Sequence, residues 1–135
     1  MEKILVLLDD DSVGNILNEK ILSKHYSGHK MEVFSDPESA LEYFSALDNK
    51  DLSSNDFTMF LDLNMPSMTG FEFLKGLEYI QDLMDDVNDL INLKVYILTF
   101  ENSVFAKEKL KVFPMIQGFI LKPLKAESVP LLVDS

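Results

Sequence analysis

The sequence predicts a doubly wound α/β domain, with five parallel strands alternating with helices that cover both faces of the sheet. Three observations predict it. Short apolar runs, Ile4 to Leu8, Phe57 to Leu61, Val95 to Leu98 and Gly118 to Leu121, alternate with segments of helical periodicity. The first run is continuously apolar, as in strands buried on both faces. These four runs end in Asp9-Asp10, Asp62, Thr99 and Lys122. In a parallel sheet all four ends lie on one edge, the edge at which open α/β sheets bind ligands.

A chain of 135 residues is one domain's worth, so residues 1–135 are expected to form a single domain. Its apolar fraction of 47% is that of a globular protein. The absence of cysteine excludes disulfides, thiolate metal sites and cysteine nucleophiles. The apolar run after Lys3 is five residues long and ends at three aspartates, too short for a signal sequence or a membrane span. A cytoplasmic protein without membrane attachment is the expectation. The net charge of −11 repels phosphate backbones and argues against direct nucleic-acid binding. An acidic cluster draws a divalent cation instead.

Each element has a local reason. After the first strand, Asp11 or Ser12 can cap a helix. Val13, Ile16, Leu17 and Ile21 then recur at helical spacing and form the expected core-facing stripe, with Asn15, Asn18, Glu19 and Lys24 elsewhere. The helix should stop between His25 and Gly28. His25 and His29 flank that stop and read as exposed loop or helix-end histidines. Met31 to Ser35 is a short second strand. Asp36-Pro37-Glu38 starts the second helix, with Asp as N-cap, Pro at the first helical position and an acid in the first turn. Ala40, Leu41, Phe44 and Leu47 make its stripe. Asp48 to Asp56 is a polar loop.

The third strand feeds Asp62, and Asn64, Pro66 and Gly70 suit a loop leaving it. Phe71, Leu74, Leu77 and Ile80 line the next helix, and the acidic stretch Asp82 to Asp89 reads as a solvated face. Asn102 or Ser103 can cap the following helix, whose packing residues are Phe105, Ala106, Leu110 and Phe113. Pro114 ends it. The tail from Leu124 to Ser135 has room for a short fifth helix near 125–133, since Pro130 interrupts it.

The pieces Leu8-Asp9-Asp10-Asp11, Asp62-Leu63-Asn64-Met65-Pro66 with Gly70, Leu98-Thr99 and Leu121-Lys122-Pro123 stand in a particular order and spacing. In this the chain resembles the receiver domain of two-component response regulators, over nearly its whole length. The resemblance implies the flavodoxin-like, CheY-like fold with strand order 2-1-3-4-5. It implies that Asp62 accepts a phosphoryl group from a sensor histidine kinase or a histidine phosphotransfer protein, in a Mg2+-dependent reaction. Asp10 and Asp62 would be direct Mg2+ ligands, Asp9 would act mainly through a metal-bound water, and the Asn64 backbone carbonyl would complete the protein ligands. Asp11 is left as a helix-start residue. Lys122 and Thr99 would hold phosphoryl oxygens. Thr99 and Phe119 would form the switch, with Phe119 turning inward as Thr99 shifts. The peptide bond between Lys122 and Pro123 is often cis in the family.

On the same resemblance, phosphorylation reshapes the surface of the fourth helix, fifth strand and fifth helix, which an unidentified downstream protein reads. A phosphorylation-dependent dimer is compatible with this. Phe100 departs from the pattern, which usually has a small residue after the threonine; a ring there narrows access to the site. Asn64 and Glu101 are further candidates for modulating hydrolysis. The chain is then a phosphoacceptor and not a turnover enzyme. Two other readings compete. A haloacid-dehalogenase-like, Mg2+-dependent phosphatase also uses an aspartyl nucleophile, but places an Asp-x-Asp motif after its first strand. A phosphorylation-silent interaction module would lack an essential residue, and Asp9, Asp10, Asp62, Thr99 and Lys122 are all present.

Overall fold

Five strands and four helices alternate along the computed structural model, which describes residues 2–47, 55–65, 68–82, 92–100 and 104–129. In order they are β1 (Lys3–Leu8), α1 (Ser12–His25), β2 (Lys30–Phe34), α2 (Pro37–Ala46), β3 (Asp56–Asp62), α3 (Gly70–Asp82), β4 (Asn92–Thr99), α4 (Val104–Leu110) and β5 (Ile116–Leu121). The strands form one sheet of order β2-β1-β3-β4-β5, and every pairing is parallel. This is the doubly wound order that the receiver resemblance implied. The strands run past the apolar runs because ladder pairing continues beyond the core. Asp62 still pairs with Leu98, and Thr99 with Leu121.

Side chains alternate across the sheet. Val6, Leu8, Met59, Leu61, Val95 and Ile97 point to one face, where α2, α3 and α4 bring Phe44, Phe73, Leu74, Leu77 and Leu110. Leu5, Leu7, Phe60, Tyr96, Leu98 and Ile120 point to the other, and meet Leu22 of α1 together with Leu124 and Val129. Each fully buried Leu or Phe contributes roughly 1.5–3 kcal/mol relative to exposure, so both faces favour the closed sandwich.

Capping sets the helix starts. The Asp36 carboxylate accepts from the backbone N–H groups of Glu38 and Ser39, with Pro37 following it, as the sequence indicated. At α3, Thr69 and Glu72 form a capping box. The Glu72 N–H donates to Thr69 Oγ1 at 3.2 Å, and the Thr69 N–H donates to Glu72 Oε1 at 3.1 Å. Gly70 allows the backbone to pass close to the chain leaving β3: a Cβ there would lie 3.3 Å from Leu63 Cα. Its N–H donates to the Leu63 carbonyl at 2.9 Å.

Helix α1 corrects the expectation. Val13, Ile16 and Leu17 are 67%, 56% and 57% exposed, and only Ile21 of the expected stripe packs, in part, on the core. Asn15, Asn18 and Leu22 face the sheet instead. Two local demands set this rotation. Asp11 caps the helix by accepting from the Val13 N–H. The carbonyls of Asp9 and Phe34, at the ends of β1 and β2, accept from the amide of Asn15. An unpaired buried carbonyl costs more than an exposed aliphatic side chain.

His29 also departs from the reading as an exposed loop residue. It is half-buried and packs edge-on against Tyr26, with ring centroids 4.9 Å apart. Burial and the Lys3 charge hold its imidazole below the ordinary histidine range, against the opposing pull of Asp56. His25 is exposed at the helix end, as expected. Ala126–Ser128 forms a 3-10 turn where the fifth helix was expected, Val129 follows it in helical conformation, and residues 130–133 of that segment lie outside the described residues. The caps Asn102 and Ser103 lie outside them too, as does most of the acidic stretch.

Candidate functional site

The site is assembled where β1, β3, β4 and β5 end side by side. Asp9 directly follows β1 and is 2% exposed. Its backbone N–H donates to the Phe34 carbonyl at 3.2 Å, and its Oδ1 accepts from the Asp11 N–H at 3.0 Å. This compact turn leaves Asp10 exposed at the rim. Asp62 is the last residue of β3, with β1 on one side and β4 on the other, and is 3% exposed. Its Oδ1 accepts from the Asn64 N–H at 3.3 Å.

Thr99 ends β4 and is buried. Its carbonyl accepts from the Lys122 N–H at 2.7 Å, which ties the end of β5 to the site. The following peptide bond, Lys122 to Pro123, is cis. The Lys122 side chain reaches back across the strand ends. Its Nζ lies 2.9 Å from Asp9 Oδ2 and 3.0 Å from Asp62 Oδ1. One ammonium thus bridges two buried carboxylates that would otherwise repel each other.

The electrostatics follow from burial. Desolvation pushes the Asp62 carboxyl up to about 7; the Lys122 hydrogen bond opposes the rise, and the Asp9 charge adds to it. For Lys122 burial acts to lower the pKa, but hydrogen bonds to Asp9 and Asp62 outweigh it and hold the ammonium above its ordinary value. The pocket carries more negative than positive charge and is short of a cation. Asp9, Asp10 and Asp62 each offer a carboxylate oxygen, all within 4.8 Å of one another. A hard divalent ion with oxygen ligands fits that donor set.

The remaining candidates surround this cluster. Phe100, at the rim, is 72% exposed, and its ring centroid lies 5.0 Å from Lys122 Nζ. Phe119 is half-buried against the α2, α3 and α4 face of the core, with Lys107 Nζ 5.7 Å from its ring centroid. Asn64 is exposed just past Asp62. Glu101 lies outside the described residues. The strand ends therefore bring together Asp9, Asp10, Asp62, Thr99 and Lys122. Sequence reasoning missed Asn15, whose amide donates to the carbonyl of Asp9 in the turn carrying the carboxylates. The only signal for it was a polar residue on α1 six positions after Asp9, which the apolar periodicity overrode.

The family model for the response regulator receiver domain matches residues 4–134. No curated protein matches the sequence. Solved structures do. The chain is similar to a two-component response regulator from Legionella pneumophila, with 26% identity, 98% of this chain and 95% of that one covered, and a TM-score of 0.74. It is also similar in fold to the Vibrio cholerae chemotaxis protein CheY4 (24% identity, 99% and 97% covered, TM-score 0.70). A response regulator receiver protein from Dyadobacter fermentans has the same fold (19% identity, 98% and 95% covered, TM-score 0.74).

Proposed function

The chain belongs to the response regulator receiver domain family, and on that premise we propose that it accepts a phosphoryl group on Asp62 from a phosphohistidine. The observation that carries this reading is the single ammonium of Lys122, within 3.0 Å of both Asp9 and Asp62, beside a third carboxylate at the rim. A carboxylate nucleophile, a fixed cation and an acidic metal site are what phosphoryl transfer to an aspartate needs.

The chain's residues divide the work. An Asp62 oxygen attacks phosphorus, an O–P bond forms, and the P–N bond to the donor imidazole breaks. The departing nitrogen keeps the electron pair. Lys122 pairs with a phosphoryl oxygen once it lets go of Asp62, and the Thr99 hydroxyl donates to another. Asp10, Asp62 and the Asn64 carbonyl would hold Mg2+, with Asp9 acting mainly through a bound water. Mg2+ there supplies the positive charge that offsets repulsion between the carboxylate and the incoming phosphoryl group. Thr99 and Phe119 are the proposed switch, and the α4–β5 surface with the segment after it is the output. Rate enhancement is confined to the domain's own phosphorylation and slow dephosphorylation.

The donor is proposed to be a histidine kinase or a histidine phosphotransfer protein. The outward apolar side chains of Val13, Ile16 and Leu17 support a protein donor. They lie on the helix that starts beside Asp10, and a protein delivering its phosphoryl group to Asp62 must cover that rim. A cytoplasmic setting is proposed with it; no helix among the described residues is long and apolar enough to cross a membrane.

The test is intact mass after incubation with Mg2+ and acetyl phosphate or phosphoramidate. The expected result is one added phosphoryl group, absent without Mg2+ and absent in Asp62→Asn. An adduct that persists in Asp62→Asn overturns the assignment. Phe100 is expected to restrict small donors and water, so Phe100→Ala should speed both labelling and loss of the label. Equal rates in the two proteins would remove Phe100 from the account.

A further inference from the structure

Helix α1 buries the wrong residues for a simple amphipathic helix. Asn15 is 5% exposed on its inner side, while Val13, Ile16 and Leu17 face outward. The Asn15 amide explains the inversion. Its Nδ2 donates to the Asp9 carbonyl at 2.7 Å and to the Phe34 carbonyl at 3.3 Å. The amide orientation is set by these partners, because the flipped amide would aim Oδ1 at two carbonyl oxygens. In the orientation adopted, Oδ1 is buried with no hydrogen-bond partner among the described residues. The helix therefore tolerates an unsatisfied acceptor and three exposed aliphatic side chains, and keeps two donors under the ends of β1 and β2.

Those two carbonyls bracket the turn that carries the carboxylates. Asp9 is held by its own N–H, which donates to Phe34, and by its carbonyl, which accepts from Asn15. Its Oδ1 then accepts from the Asp11 N–H, and its Oδ2 pairs with Lys122. A rotation of the peptide between Asp9 and Asp10 would swing both carboxylates relative to Asp62. The Asn15 amide is bonded to the carbonyl of that peptide.

We propose that Asn15 is a positioning residue of the carboxylate site: it clamps the Asp9 carbonyl to the end of β2 and so holds Asp9 and Asp10 turned toward Asp62. The proposal rests on the receiver reading for the identity of the cation, and on the geometry above for the clamp. The Asn15 amide bonds backbone carbonyls and not the carboxylates. It acts through the backbone, as residues behind metal ligands do.

The test compares wild type with Asn15→Leu and Asn18→Leu. Leucine keeps the branched outline of the asparagine side chain, with the same number of heavy atoms, and removes the donors, while its methyl groups add volume. Asn18 is buried on the same face of α1, one turn further from the strand ends, and no hydrogen bond joins it to the site among the described residues, so its substitution reports any general effect of adding an apolar residue there. Mg2+ affinity is measured by calorimetry and thermal midpoints are measured without metal. The labelling rate with acetyl phosphate is measured as a function of Mg2+. In Asn15→Leu the Mg2+ dissociation constant should rise about tenfold, the low end for a partner behind a ligand. The labelling rate at saturating Mg2+ should stay within about threefold of wild type, since bound cation restores the carboxylate geometry. Asn18→Leu should bind Mg2+ like wild type. Equal Mg2+ affinity in all three proteins overturns the proposal, as does equal weakening in the two variants. Should Asn15→Leu not fold, Asn15→Ser, which keeps a polar but shorter side chain, is read by the same criteria. A wild-type chain that binds no Mg2+ overturns the receiver reading itself, which separates that failure from failure of the clamp.

Discussion

Helices α2 and α1 lie on opposite faces of the same sheet and obey different rules. On α2 the pattern is the ordinary one: Ala40 and Phe44 are buried, and Glu38, Glu42 and Ser45 are exposed. Phe44 packs against Phe57, with ring centroids 5.4 Å apart, in a core shared with Phe73 and Leu77 of α3. On α1 the aliphatic side chains are outside, and two asparagines and one leucine are inside. The difference lies in what each helix has to satisfy. Phe44 and Ala40 of α2 pack in a core of apolar side chains that includes Val6, Leu8, Phe57 and Met59 of the sheet, so burial of carbon decides the rotation. The start of α1 sits against the carboxyl ends of β1 and β2, where the Asp9 carbonyl takes its donor from Asn15 and the Phe34 carbonyl takes a second one, and hydrogen bonding decides. Packing alone orients α2, whereas α1 combines the burial of Leu22 with the hydrogen bonds of Asn15 to the strand ends.

Breaking the packed side should have the largest effect. Phe44→Ala removes a fully buried ring and leaves a cavity, and is expected to cost about 3–5 kcal/mol in urea unfolding. The carboxylate cluster shares no side chain with that region, so the folded variant should keep the Mg2+ affinity of the wild type. A large loss of Mg2+ binding at full folding would mean that the two faces are coupled.

The site is broken by pH instead. Burial first, and the Asp9 charge further, raise the Asp62 carboxyl to about 7 from an ordinary value of 3.8. Between those values the folded chain holds a proton that the unfolded chain has released. Stability from this group is therefore complete below the ordinary value and is lost as pH rises through about 7. Lys122 is shifted upward from its ordinary 10.5, so its contribution is lost only above that range. In metal-free protein the thermal midpoint of wild type relative to Asp62→Asn should fall as pH rises from about 4 to about 7. A difference that does not change with pH would contradict the desolvated state of Asp62. Mg2+ should lessen the decline, since it stabilises the ionised form.

The same contrast explains what the sequence made legible. The five strand positions, the parallel order and the cluster of Asp9, Asp10, Asp62, Thr99 and Lys122 follow from apolar runs ending in polar residues and from the family resemblance. The α2 stripe was readable because one force dominates there. The α1 rotation was not, because periodicity counts carbon and ignores two carbonyls contributed by other strands. The Thr69–Glu72 capping box was present as a local signal, Thr-x-x-Glu, and needed only to be read. The half-buried place of His29 depends on Tyr26 packing beside it, which no spacing rule encodes.

The smallest effect on stability should come from α1's outer face, and this sharpens the contrast most. Ile16 is exposed, so Ile16→Ser removes little buried carbon, and its cost should stay within about 0.5 kcal/mol. Under a purely structural view of α1 nothing else should change. If that face is where a protein donor seats, a second quantity moves. Labelling by acetyl phosphate should match wild type, because the carboxylates and Lys122 are untouched. Transfer from a phosphorylated histidine phosphotransfer protein that serves the wild type should slow about tenfold, the loss of roughly 1.4 kcal/mol of contact. Equal transfer rates would leave the exposed side chains as a by-product of the Asn15 clamp, because a helix rotated to hold two carbonyls must turn its other residues outward.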